Sequence, residues 1–386
     1  MPYCKICNTY DCDKHLFFIG KPRSIQQFAG SSPPEIFVGR WNYPNIYTGI
    51  LSPEEYGQTA ELSSPELWHK NKLSISEILK NRNKLIYGRT QSNIKKLETK
   101  FLSVMKEVAM TDKSIAAEFK LKKPIKKQDE QSANVPLISH AAEVEHVRLQ
   151  ENPSVKPKVE YLVNDTNAKA TTAMLELEKA NIQTSSITKL LSAGLLGLRP
   201  NRKLVPTRWS ITAVDDTLSK EKLKRIRYFP EIQEISVFHA EFLGNHYEFL
   251  LLPSNWSFEV IEISLKKFGV WQDHESFFQR KTYAEDVTGA YYANRLAVTE
   301  YLEKIKRQAL CLVFREIRPE YTAPLGVGIL RQTSREAFSN PPETFQSIQE
   351  ALKQIQTRLR LHVDNFAQKS VLLKQQSQQK KLTSFL

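Results

Sequence analysis

Three of the chain's four cysteines fall within its first twelve residues, and a histidine follows closely: Cys4, Cys7, Cys12 and His15 make the pattern C-x2-C-x4-C-x2-H. Two tight ligand pairs separated by a short loop are what a tetrahedral Zn2+ needs, because each C-x2-C or C-x2-H turn presents two donors to one ion. Three thiolates and an imidazole fill the coordination sphere, so the expected ion is structural, with no open position for catalysis. Residues 1–20 are too few to bury a core, and metal binding supplies the folding free energy of so small a knot. Free thiols or a redox site are the competing reading. The one further cysteine, Cys311, leaves no basis for a disulfide framework in 386 residues.

Beyond the knot, residues 21–373 are expected to form one main body. Residues 30–53, rich in turn formers and aromatics, predict loops with short strands. Over 64–117 apolar residues recur at helical spacing, among them Ile75, Ile78, Leu79, Ile94, Leu97, Phe101 and Met105, which predicts two or three helices. The lysine-rich stretch that follows predicts an exposed loop over 120–135. Further helical runs cover 166–180, 187–198 and 288–312, the last placing Cys311 as a buried core thiol within a helix. Strand signals concentrate over 204–265, where Gly244-Asn245 separates two apolar runs as the turn of a hairpin. Phe345, Ile348, Leu352, Ile355, Leu359 and Phe366 predict one long helix over 342–373 whose stripe packs on the body; two to three heptads are too few to favour a coiled-coil dimer. The expected fold class is α+β: a mixed helical body with a small antiparallel β region, an N-terminal zinc-binding knot and a flexible C-terminal tail over 374–386.

The charge balance, 55 Lys+Arg against 42 Asp+Glu for a net +13, favours a polyanionic partner. After residue 350, seven cations (Lys353, Arg358, Arg360, Lys369, Lys374, Lys380 and Lys381) face Asp364 alone, which is six of the thirteen surplus charges. No run approaches the roughly 18 apolar residues of a membrane span, and the first residues lack an apolar signal segment, so a cytoplasmic location is expected.

The sequence ends Gln379-Lys-Lys-Leu382-Thr-Ser-Phe385-Leu386. This matches Q-x-x-h-x-x-a-(a/h), the motif by which client proteins dock on the PCNA sliding clamp. One tight turn brings Leu382, Phe385 and Leu386 together as an apolar plug, Gln379 sets its amide beside it, and Lys380 and Lys381 complement an acidic clamp surface.

Several longer blocks resemble the archaeal Nre family of DNA repair proteins. They are Phe37-Val-Gly-Arg-Trp-Asn-Tyr-Pro-Asn-Ile-Tyr-Thr-Gly, Arg202-Lys-Leu-Val-Pro-Thr-Arg-Trp-Ser-Ile-Thr-Ala-Val-Asp-Asp216, Gly289-Ala-Tyr-Tyr-Ala-Asn-Arg-Leu-Ala-Val, and Arg315-Glu-Ile-Arg-Pro-Glu-Tyr followed by Pro324-Leu-Gly-Val. The resemblance implies repair of damaged DNA, an N-terminal zinc motif and a clamp-binding terminal peptide. The family's zinc motif is usually four cysteines, where this chain has His15 as the fourth ligand.

The resemblance gives a process and leaves the reaction open. Arg208 and Trp209, with their neighbouring hydroxyls, suit phosphate and base contacts. Arg295, Arg315 and Arg331 extend a candidate positive cleft, with Tyr291 and Tyr292 as further stacking platforms. Asp215 and Asp216, with Glu248 or Glu316, are candidate Mg2+ ligands for a nuclease acting on repair intermediates. The structural alternative is that Arg315 and Glu316 pair internally and that Asp215-Asp216 cap a helix starting near Leu218. A DNA-binding clamp client, a clamp-recruited nuclease and a pure adaptor all fit these residues.

Overall fold

In the computed structural model, residues 3–4, 9–10, 23–127, 140–266 and 269–378 are described. The chain divides into two compact units, Met1–Val214 with Ala323–Leu325 and Asp215–Thr322 with Gly326–Leu386, where one body over 21–373 is the sequence expectation. At the start, β1 (Tyr3–Cys4) pairs antiparallel with β2 (Thr9–Tyr10), Cys4 opposite Thr9. Cys7, Cys12 and His15 lie outside the described residues, as do Gln379, Leu382, Phe385 and Leu386.

The first unit is built on a six-stranded mixed sheet. Its strands are β3 (Arg23–Ser32), β4 (Ile36–Val38), β5 (Asn45–Ser52), β6 (Ile86–Asn93), β7 (Ile115–Lys127) and β8 (Ala141–Leu149), in the order β3-β7-β8-β6-β5-β4. Only β6 and β8 run parallel. The helices α1 (Pro65–Lys70), α2 (Ile75–Asn83) and α3 (Lys100–Met110) interleave with the strands, followed by α4 (Pro157–Asn164), α5 (Ala170–Lys179) and α6 (Thr184–Ser192). Local chemistry sets the helix starts. The Ser64, Ser74 and Thr99 hydroxyls accept from the third backbone N–H beyond them, and Glu77 returns the contact to Ser74 as a capping box. The long helix α7 (Thr207–Ile226) begins in the first unit and runs on into the second.

The second unit carries another six-stranded mixed sheet. Its strands are β9 (Ile235–Phe242), β10 (Asn245–Leu252), β11 (Ser257–Ser264), β12 (Val270–Glu275), β13 (Leu310–Ile317) and β14 (Glu343–Phe345), ordered β12-β11-β13-β10-β9-β14 with β11 and β13 parallel. Both faces are covered, so every residue of β10 and β11 is buried. On one face α8 (Gly289–Ile305) and α9 (Val327–Ala337) close a core around Phe249, Phe258, Tyr291 and Val313. The opposite face packs Leu250, Ile261 and Phe314 against α10 (Ile348–Gln356), α11 (Asp364–Ala367) and α12 (Val371–Gln378). No helix among the described residues is long and apolar enough to cross a membrane.

Two large mixed sheets overturn the expectation of a helical body with a small β region. The class remains α+β, but the sheets organise both units. The stretch from Lys120 to Lys127 belongs to β7 and not to a loop, and residues 128–135 of the expected loop lie outside the described residues. Ala117, Phe119 and Leu121 point into the core while Lys120 and Lys122 pair across to Glu145 and Glu143 of β8, so the lysines are the wet face of an amphipathic strand. The run over 288–312 breaks at Lys306, whose left-handed backbone (φ 53°) ends α8 and releases the chain into β13, so Cys311 is buried in a strand. The expected helix over 342–373 is a short strand and three short helices, although its apolar stripe does pack on the sheet. The hairpin turn is Leu243-Gly244, one residue earlier than expected.

Candidate nucleic-acid interface

In the first unit a main-chain relay gathers three distant segments. The Ile94 N–H donates to the Pro44 carbonyl at 3.0 Å, and the Leu204 N–H donates to the Ile94 carbonyl at 2.9 Å. The loop between β4 and β5, residues 39–44, is thereby fixed beside Lys95-Lys96 and the entry to α7. The Gly39 N–H donates to the Tyr47 carbonyl at 2.8 Å, and Asn42, left-handed at φ 62°, accepts from the Asn45 N–H at 2.8 Å. Thr207, the first residue of α7, accepts from the Val38 N–H at 2.9 Å through its hydroxyl. Two of the blocks that carry the family resemblance, from Phe37 and from Arg202, therefore meet at one place.

Their side chains form an aromatic and cationic face. Tyr43 lies 5.4 Å from Trp209, ring centre to ring centre, tilted by 50°. The Arg40 guanidinium sits 4.7 Å from the centre of the Trp41 ring. Trp41, Tyr43 and Trp209 are 75%, 45% and 46% exposed. Arg40, Lys95, Lys96, Lys203 and Arg208 are exposed as well, and residues 39–49, 94–97 and 197–209 contain no Asp or Glu. Arg202 instead braces the backbone, donating to the carbonyls of Gly197, Val163 and Asp165 at 2.8, 2.9 and 3.0 Å, which holds the chain leading into α7. Burial of that guanidinium lowers its pKa from the ordinary value.

Of the residues singled out in sequence, Arg208 and Trp209 stand on this face. The other candidate DNA-contact and Mg2+ residues lie inside the second unit. Arg295 is fully buried: Nη1 donates to Glu275 at 2.8 Å, Nη2 pairs with Asp216, and Nε donates to Ser219 at 3.2 Å. Arg315 is buried between Glu262, at 2.7 Å, and Asn245. Arg331 grips Asp215 with two parallel bonds of 2.9 and 2.7 Å, and burial pushes the Asp215 carboxyl up while that guanidinium opposes the shift. Tyr291 and Tyr292 are buried against these arginines.

The carboxylates proposed for Mg2+ do not converge. Asp215 and Asp216 lie within α7, not at a helix start, and Asp216 meets the α8 side of the sheet. Glu316 alternates to the other face, accepting from the Arg360 and Leu361 N–H groups at 2.9 and 2.8 Å and from Arg318 at 2.8 Å. Glu248 is held by Arg358 at 2.8 and 2.9 Å and by His246 at 2.7 Å. Among the described residues no group of three or more His, Cys, Asp or Glu is arranged to hold a metal ion. Sequence reasoning missed Arg40, Trp41, Tyr43, Lys95 and Lys96. The available signal was an Arg-Trp-x-Tyr segment without a neighbouring acid.

The model for "Archaeal Nre, N-terminal" matches residues 1–272, and that for "Archaeal Nre, C-terminal" matches residues 275–385. The chain is 35% identical to "DNA repair protein NreB" of Archaeoglobus fulgidus, over 92% of this chain and 91% of that protein. It is 32% identical to "DNA repair protein NreA" of Haloferax volcanii, over 89% and 86% of the two chains. The "DNA repair protein NreA" of Archaeoglobus fulgidus is 36% identical, over 83% and 82%. No solved structure matches the chain. With both family models matched end to end and relatives aligned over most of their length, the chain belongs to the archaeal Nre family.

Proposed function

We propose that this protein is a DNA repair factor that binds DNA through the face formed by residues 39–44, Lys95, Lys96, Arg208 and Trp209, and that docks on the PCNA sliding clamp through Gln379, Leu382, Phe385 and Leu386. The observation that carries the DNA reading is the coincidence of exposed aromatic rings and cations on segments free of carboxylates. The names of its relatives support the repair role. A structural Zn2+ held by Cys4, Cys7, Cys12 and His15 completes the proposal; three thiols and an imidazole are a donor set that suits this ion.

Three measurements test it. Charge reversal of Lys95, Lys96 and Arg208 lowers DNA affinity at least tenfold in low salt and flattens the dependence of log Kd on log salt; unchanged affinity refutes the face. Removing residues 379–386 abolishes capture of the protein by immobilised clamp, and retained capture refutes the docking peptide. Elemental analysis of the purified chain gives one zinc per molecule, reduced by Cys12→Ser; absence of stoichiometric zinc ends the metal assignment.

A further inference from the structure

We infer that this face takes unpaired bases of single-stranded DNA, in preference to the backbone of a duplex. The inference rests on the DNA-binding reading of the same face and adds what part of the nucleic acid it grips. The placement of the tryptophans carries it. The chain has five, of which Trp68 and Trp256 are buried, Trp271 packs against the core of the second unit, and the two exposed ones, Trp41 and Trp209, both stand here.

Phosphate contacts need cations alone, so a duplex-backbone site gains little from two indoles and a phenol held in water. What a flat ring offers is a stacking surface, and every base has a complementary one. In a B-form duplex the base faces are covered by their neighbours and the grooves present only edges. A ring on an exposed loop therefore reaches a base face only where the strand is unpaired or the base is turned out.

The geometry suits that ligand. Tyr43 and Trp209 are inclined at 50°, so they form a corner and not one continuous stack: a base lying on one ring meets the other with its edge. Trp41 is three-quarters exposed, with the Arg40 guanidinium over one face 4.7 Å from its ring centre, so a base stacking on the opposite face meets a ring already paired with a cation. Exposed Lys95, Lys96 and Arg208 flank the rings and are placed to follow the phosphates between successive bases. The loop over 39–44 is tied to β5 by the Gly39–Tyr47 backbone hydrogen bond, and the start of α7, which carries Trp209, is tied to β4 through the Thr207 hydroxyl, so the rings stand on a pre-formed platform.

The test uses the full chain and two fluorescein-labelled probes of equal length, a thymidine oligonucleotide and a mixed-sequence duplex, read by anisotropy at low salt. The expected result is at least tenfold tighter binding of the single strand, accompanied by quenching of tryptophan emission. Trp41→Ala lowers single-strand affinity roughly 5- to 150-fold, as loss of one stacked base does, and leaves duplex affinity within about twofold. Trp41→Phe restores most of the loss. Because Trp41 is exposed, an unchanged thermal melt is expected for both variants. Equal binding of the two probes with no effect of Trp41→Ala overturns the unpaired-base inference and leaves the DNA reading standing. Binding of neither probe overturns both, and assigns the aromatic face to a protein partner.

Discussion

Arg295 offers a sharp contrast between a ligand contact and a structural ion pair. Its guanidinium is fully buried, and its principal partner Glu275 is 0% exposed at the side chain. Replacing Arg295 by Met keeps the stem's volume but takes the bonded cation from a buried carboxylate, which keeps the Trp256 indole, at 3.2 Å, the Arg280 N–H, at 3.3 Å, the Tyr291 hydroxyl and the more distant Arg227 charge. Asp216 suffers less, because it is a quarter exposed and keeps Lys220 at 2.7 Å. The loss is therefore set by Glu275, and removing one partner of a buried pair costs about 3–5 kcal/mol. With a denaturant slope near 3 kcal/mol per molar urea for a unit of this size, the midpoint falls by about 1–2 M. The double variant Arg295→Met with Glu275→Gln recovers a large part of that, since no uncompensated charge is left. Far-ultraviolet dichroism in urea reads the midpoints, and anisotropy on the same samples reads DNA affinity. A midpoint for Arg295→Met within about 0.3 M of the parent, together with lost DNA affinity in the absence of denaturant, would refute the structural reasoning and return Arg295 to the ligand.

Three further outcomes follow from buried groups. Burial raises the hydroxyl pKa of Tyr87, Tyr247 and Tyr291 above the ordinary value of about 10, so the unfolded chain loses these protons first and stability falls as pH rises past about 10; absorbance at 295 nm during alkaline titration should show these three ionising only with unfolding, and an early ionisation counts against their burial. The Cys311 thiol, pushed up by burial, should resist a disulfide reagent in the native protein and react in denaturant, and a Cys311→Ser control identifies its share. Glu259, buried in β11, accepts from the Val371 and Leu372 N–H groups at 2.8 and 3.2 Å and from the Ser370 hydroxyl, so it caps α12 from the sheet. Glu259→Gln should lower stability by about 1–3 kcal/mol and speed hydrogen exchange over residues 371–373, and unaltered exchange there dismisses the cap.

What sequence reveals here depends on whether a signal is local. The hairpin of β9 and β10 was legible because Gly244 is demanded by the turn: a Cβ there would lie 2.6 Å from the Tyr321 nitrogen. The strand β11 was legible as an apolar run. β7 was hidden because its wet face is lysine, and a lysine run with a proline resembles a loop until its alternation with Ala117, Phe119 and Leu121 is counted. The end of α8 was hidden because a lysine, not a glycine, takes the left-handed position. At the candidate interface Arg208 and Trp209 were legible as residue types. Their partners Arg40, Trp41 and Tyr43 come from more than 160 residues earlier and are joined only by long-range hydrogen bonds, which no local pattern records.

The structure also redistributes the meaning of the charge. By sequence, nearly half of the net +13 lies after residue 350, which points toward the tail as the polyanion-binding region. One of those cations is internally engaged, Arg358 with the buried Glu248 and the partly exposed Glu343, while Arg360 makes a surface pair with Glu320. Arg295, Arg315, Arg318 and Arg331 are likewise paired inside the second unit. A charge already held by a buried carboxylate contributes little to the field a phosphate meets, whatever it adds to the formal total. Of the arginines that looked suited to DNA in sequence, Arg295, Arg315 and Arg331 are thus the least available to it, and Arg208 alone is exposed. Exposed cations on segments without an acid, Arg40, Lys95, Lys96, Lys203 and Arg208, are what the proposed DNA face rests on, and their charges are too few in any one segment to stand out in sequence.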